Sequence, residues 1–154
     1  RRLMCWQFSE PGDRYAGRSL MNDSGETDLR RLLNSLAPVL LKPDYVFCTV
    51  AHATQVDYRE LKPLASFQED EGLSLILEQI VADEAGLIYE SVFKGITLTV
   101  HSSLDAVGLT AAVAGKLAEH GISANVVAAS YHDHIFVPRD KAEQALRLLA
   151  AMSG

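Results

Sequence analysis

Apolar residues recur at helical spacing in some stretches of this chain and crowd into short β-branched or aromatic runs in others. Leu29, Leu32, Leu33, Leu36 and Leu40 fall about one turn apart, Thr27 can cap the start and Pro38 marks the end. That spacing predicts a helix over 28–37. Tyr45-Val46-Phe47-Cys48-Thr49-Val50 reads as a strand, followed by a polar, irregular stretch over 51–62. Two short strands are expected near 63–67 and 73–77, separated by the acidic turn Gln68-Glu69-Asp70-Glu71-Gly72. A short helix over 79–85 is closed by Gly86, a strand covers 89–93, and another begins after Lys94-Gly95.

The second half repeats the theme more cleanly. Ile96-Thr97-Leu98-Thr99-Val100 is a strand, and Ser102-Ser103-Leu104-Asp105 is a polar turn. A helix over about 107–120 carries Leu109, Ala112, Val113 and Leu117 as its apolar stripe and stops at Gly121. Strands over 122–130 and 134–137 are joined through Tyr131-His132-Asp133. A last helix over about 139–152 places Ala142, Ala145, Leu146 and Leu149 on one face. Residues 96–152 therefore read β-α-β-β-α, most of a ferredoxin-like split βαβ unit. Ser74–Leu77 with its following helix is echoed sixty positions later by His134–Val137 with its own, and Tyr45–Val50 is echoed by Ile96–Val100. The expected architecture is α+β: two ferredoxin-like units of βαββαβ type packed side by side, a degenerate one over 25–93 and a cleaner one over 94–154. The first copy lacks a helix after its opening strand, a slot that the N-terminal helix can fill. The second lacks a closing strand after Met152, so one sheet edge must stay open or find another partner.

Charge narrows the partners. The 154 residues carry a formal net charge of −6, yet residues 1–20 hold Arg1, Arg2, Arg14 and Arg18 against Glu10 and Asp13, so the acidity belongs to the rest. An acidic body has no basic face for nucleic acid or an anionic membrane. No apolar run reaches the length of a membrane span or of a signal-peptide core. Met21, followed by a polar stretch, is a more natural start than Arg1, and residues 1–24 are expected to be a disordered or artefactual leader. Cys5 and Cys48 form no disulfide framework and no CxxC pair, which fits a reducing, cytoplasmic setting. No GxSxG, P-loop, HExxH or GxGxxG motif is present, so no catalytic residue and no cofactor is expected.

The stretch Ile96–Pro138, ITLTVHSSLDAVGLTAAVAGKLAEHGISANVVAASYHDHIFVP, resembles an ACT domain, the small-molecule regulatory module of amino-acid metabolism. Gly108-Leu109 stands where such domains place a glycine before their first helix, and Leu117-Ala118-Glu119-His120-Gly121-Ile122 matches the passage into the second strand. The body from Gly25 to Met152 resembles small bacterial proteins with two ACT-like units. It is similar in arrangement to the regulatory region of aspartate kinases and to the cytosolic arginine-sensing proteins of animals.

The resemblance implies binding rather than catalysis, with a free amino acid or similar small molecule held at the junction of the two units, and a homodimer as the working form. A helix N-terminus offers unpaired N–H groups to a carboxylate. Val107, Gly108 and Leu109 would supply them, and Gly108 admits a close backbone approach. Ser102 and Ser103 offer hydroxyls beside them, and Asp105 and Asp133 suit an ammonium or a cationic side chain. In the arginine-sensor resemblance Asp133 falls on the acidic position just before the third strand. Each residue also has an ordinary reading: Asp105 as a helix cap, Ser102-Ser103 as a turn, Cys48 as a buried hydrophobe, Glu69-Asp70-Glu71 as a solvated turn. Two alternatives stand beside the sensor. One is a small metal-dependent enzyme using His101, His132 and His134, the last two expected on one side of a strand. The other is a structural interaction domain whose cleft is vestigial.

Overall fold

A computed structural model describes residues 25–51, 58–100 and 102–153, so the expectation of a leader over 1–24 lies outside the described residues. The first helix, α1, spans Leu29–Asn34, and its cap is Asp28 rather than Thr27. The Asp28 carboxylate accepts the Arg31 N–H at 3.0 Å, satisfying one of the amides a helix start leaves open.

The next element departs from the sequence expectation. Strand β1 runs from Pro38 to Val50 (Pro38–Val50), thirteen residues, so Pro38 opens a strand as well as ending a helix. Pro43, which cannot donate to a ladder, sits where the pairing register of β1 shifts between Leu40 and Asp44. A 3-10 turn follows at Tyr58–Leu61, then β2 (Ala65–Glu69), β3 (Gly72–Glu78) and α2 (Gln79–Glu84).

Strand β4 (Val92–Leu98) runs unbroken through Lys94-Gly95, where the sequence suggested an interruption. Gly95 is required there by packing: a Cβ would lie 2.9 Å from Cδ1 of Leu41 on the neighbouring strand. Helix α3 (Leu109–Ala118), strands β5 (Asn125–Ala128) and β6 (Asp133–Pro138), and helix α4 (Ala142–Ala150) complete the order.

The strands form one six-stranded sheet in the order β2-β3-β1-β4-β6-β5, antiparallel throughout. In a βαββαβ unit the fourth strand lies beside the first. Here β1 and β4, the opening strands of the two halves, lie beside each other, so each serves as the other's fourth strand. The strand missing after Met152 is thereby supplied from within the chain.

The described α-helices cover one sheet face. Ile96, Leu98, Ile135 and Val137 point into a core with Leu32 and Leu36 of α1, Leu109, Val113 and Leu117 of α3, and Ala145 and Leu149 of α4. Val46, Cys48, Val50, Leu75 and Leu77 form a smaller core with Ala82 of α2, with Tyr58 and Leu61 of the 3-10 turn packed against it. Helix α1 thus joins the core of the second half instead of filling the empty slot in the first; the 3-10 turn lies there. The opposite sheet face carries Tyr45, Ile76 and Phe136, with no described helix over them. Among the described residues no helix is long and apolar enough to cross a membrane.

Candidate ligand site at the β4–α3 loop

Between β4 and α3 the chain makes a tight polar loop fixed from two sides. Ser102 and Asp133 are both buried, and the Ser102 hydroxyl donates to Oδ2 of Asp133 at 3.1 Å. The Ser103 N–H donates to the carbonyl of Glu26 at 3.0 Å, and its hydroxyl accepts the Asp105 N–H at 3.2 Å. Ser103 is therefore a turn-former, while also lining the cavity below. Glu26 is itself held in place: its carboxylate accepts the N–H groups of Thr27 and Asp28, each at 2.9 Å. Those two bonds, helped by Arg31, keep its carboxyl below the usual carboxylate range.

The start of α3 differs from the simplest reading. Gly108 is the cap residue, with φ near +101° and no side-chain hydrogen bond, so Asp105 does not cap the helix. That left-handed backbone is a geometric reason for glycine at this position. The space in front of it is already taken, because Cδ2 of Leu29 lies 3.0 Å from where a Cβ would stand. The first helical bond runs from the Ala112 N–H to the Gly108 carbonyl, leaving the amides of Leu109, Thr110 and Ala111 as the open ones.

Ser102, Ser103, Leu109 and Asp133 converge on a cavity of about 50 Å³, closed further by Leu104, Ala106, Thr110 and Ala128. That is room for a few waters. Asp105 and Val107 are not part of it: Asp105 is exposed, and Val107 is 84% exposed. Leu109 lines the site and also belongs to the buried core, 4% exposed. Thr110, two residues after Gly108, adds a hydroxyl from the first turn of α3 that the sequence expectation does not include, although its place at the helix start is the signal for it. Glu26 carried no local signal, because its role comes from a chain passage 77 positions away from Ser103 in sequence.

The histidines divide. His134 Nδ1 lies 3.0 Å from the Thr97 hydroxyl. Burial holds its imidazole below the usual histidine range, the neighbouring His132 adds to that, and Asp133 opposes it. His132 precedes β6, and its buried Nδ1 has no hydrogen-bond partner. His101 lies outside the described residues, and among those described no three His, Cys, Asp or Glu side chains are placed to hold a metal. Cys48 is buried, which pushes its thiol up and fits the reading of a small hydrophobe.

Comparison with known proteins accords with this geometry. Two ACT-domain family models match, one over residues 24–94 and the other over 90–151. The chain is 56% identical to a Vibrio cholerae protein of unknown function, described as a possible transport protein, over 82% of this chain and 96% of that one, with a TM-score of 0.74. The regulatory subunit of aspartate kinase from Thermus thermophilus shares the fold at 11% identity, over 75% of this chain and 95% of that one, with a TM-score of 0.56. A protein from Agrobacterium tumefaciens does so at 18% identity, over 77% of this chain and 89% of that one, with a TM-score of 0.57. No functionally curated protein matches. With both halves matched in succession and the strands shared between them, the chain belongs to the ACT-domain family as a tandem pair.

Proposed function

We propose that this ACT pair is a cytoplasmic, non-catalytic sensor that binds a free amino acid or similar small molecule where the β4–α3 loop meets the N-terminal segment of the first unit. The observation that carries the reading is the Asp133 carboxylate, only 7% exposed, lining one cavity with the Ser102 hydroxyl and the first turn of α3. A buried carboxylate with no ion pair among the described residues favours an incoming ammonium. Open amides at a helix start favour a carboxylate. A zwitterion presents both.

The present cavity of about 50 Å³ is too small for such a ligand, so binding displaces the Glu26–Leu29 strap from Ser103 and Gly108. Displacement of a segment that continues into α1 gives ligand binding a route to the rest of the fold. The sheet ends in β2 and β5, each with one unpaired edge among the described residues, which favours a homodimer as the responding assembly.

Thermal melting against the twenty amino acids at millimolar concentration tests this. A ligand present at ~100 times its dissociation constant adds about 2.7 kcal/mol of stability. Asp133→Asn and Ser102→Ala should remove the response while the protein stays folded. Folded protein that responds to none of the twenty overturns the reading. The closed cavity favours one competitor, a structural module with a vestigial cleft. Leu29→Ala separates the two, since unblocking Gly108 sharpens the response of a sensor and gives a vestigial cleft none.

A further inference from the structure

We propose that the helix-free face of the sheet carries a second small-molecule site, for a free organic cation with an apolar body such as an aromatic or aliphatic amine. On this face Phe47 packs edge-to-face against Phe93 at 5.3 Å and against Phe136 at 5.5 Å between ring centroids. Phe47 nevertheless remains 37% exposed. The chain between α2 and β4 runs beside these rings and turns the surface into a groove of about 490 Å³, with Thr49 and Asn125 also in its lining. That volume lies in the range of small-molecule pockets, ~300–1,000 Å³.

The wall of the groove is anchored. The Tyr89 hydroxyl donates to Asp83 at 2.7 Å and accepts from Gln79 at 2.9 Å, tying the segment to α2. Its two flanking residues are left facing outward: Ile88 is 90% exposed, and Glu90 is exposed with no hydrogen bond or ion pair among the described residues. Both line the groove. Among the described lining residues Glu90 is the one charged at neutral pH, so they give the groove a single sign. Aromatic faces also attract cations, by about 0.5–2 kcal/mol according to desolvation. An apolar floor, a lone carboxylate and flanking hydroxyl and amide groups are the complement of an amine with a hydrocarbon body. The groove takes Phe47 and Thr49 from the first half and Phe93 and Asn125 from the strands of the second, so an occupant bridges the seam between β1 and β4.

The test uses three probes of one shape and different charge, phenethylamine, 2-phenylethanol and phenylacetate, titrated into the full chain and followed by amide-resolved NMR and calorimetry. Phenethylamine should bind saturably and shift the amides of Phe47, Ser91, Phe93 and Asn125. It should bind about tenfold more tightly than the alcohol, the equivalent of about 1.4 kcal/mol. Glu90→Gln, an exposed substitution, should abolish that preference, and Phe47→Leu should weaken both amine and alcohol. Asp133→Asn should change nothing here, so failure of the amino-acid reading and failure of this one are separable. Equal binding of all three probes, no saturable shift with phenethylamine, or shifts centred on Thr110 and Asp133 overturns the proposal.

Discussion

The two halves share a strand plan and differ in what covers it. The second half lays α1, α3 and α4 over its strands and buries fourteen residues in one cluster. Among the described residues, the first covers its strands with the six-residue α2 and a 3-10 turn, and its cluster has six. Burial of apolar surface is the main favourable term in folding, at roughly 25 cal/mol per Å². The second half is thus the stable platform, and the first is the element cheaper to open. The difference teaches where a signal can be generated: α1 is built from the first unit's end of the chain yet packs on the second unit's core, so its strap crosses between them.

The largest expected effect comes from cutting one buried leucine out of each core, Leu117 of α3 and Leu75 of β3. Leu117 is fully buried in the cluster that α1 and α4 share with α3, and Leu75, 1% exposed, lies in the smaller cluster with α2. Leu→Ala changes in cores cost about 2–5 kcal/mol, more where the cavity cannot collapse. Leu117→Ala is expected near the upper end and Leu75→Ala near the lower, read as shifts in urea midpoint. Native-state hydrogen exchange should give β4 and β6 protection near the global value and β2 and β3 less. Equal losses from the two substitutions would dissolve the asymmetry.

That asymmetry explains what could be read in advance. The clean β-α-β-β-α pattern after Ile96 was legible because each element buries a continuous stripe, and periodicity reports burial. Strand β1 was half legible: Tyr45–Val50 is apolar and β-branched, while Lys42, Pro43 and Asp44 carry no strand signal. They are held in the sheet by tertiary partners. The Lys94 ammonium sits 2.9 Å from the Asp44 carboxylate and donates to the Lys42 carbonyl at 2.6 Å. The strand break expected at Gly95 was a misread of a glycine needed for packing against Leu41. At the candidate site, Ser102 and Asp133 were each legible as polar residues beside the strands of the second half, and the bond between them was not. Nor was the closure of the site by Glu26 and Leu29, because those contacts depend on where α1 docks.

A smaller effect is expected from the buried hydroxyl. Ser102→Ala removes the hydrogen bond to Oδ2 of Asp133 and leaves that carboxylate without its one side-chain partner among the described residues. The cost should be about 1–3 kcal/mol, the penalty for an unsatisfied buried acceptor. The double variant Ser102→Ala with Asp133→Asn measures the coupling, and a sum equal to the two single losses would show that the pair does not interact. The first half has no buried acid at the matching end of β3, so its exchange rates should stay unchanged.

The smallest effect is a difference in acid response between the halves, and it follows from one matched position. Thr49 of β1 faces Ser74 of β3, and Thr97 of β4 faces His134 of β6, the same place in the two ladders given the sixty-residue echo. The first pair is two hydroxyls 3.5 Å apart, and the second puts an imidazole 3.0 Å from a hydroxyl. Burial keeps His134 below its ordinary value of 6.5, so the unfolded chain takes up this proton at a higher pH than the folded one does. Stability from this group is therefore complete above about pH 6.5 and declines as the pH falls from there toward the depressed folded value. Asp44 and Glu26 are carboxylates held below their usual range, so their losses begin only as the pH drops below about 4.5. Between about pH 7 and pH 5 the histidine acts without them. Urea midpoints across that window should fall in the wild type and stay flatter in His134→Gln, with faster exchange at low pH confined to β6 and β5. Acid loosening that appears first in β2 and β3 would mean that the thinner core, and not the buried imidazole, governs the response.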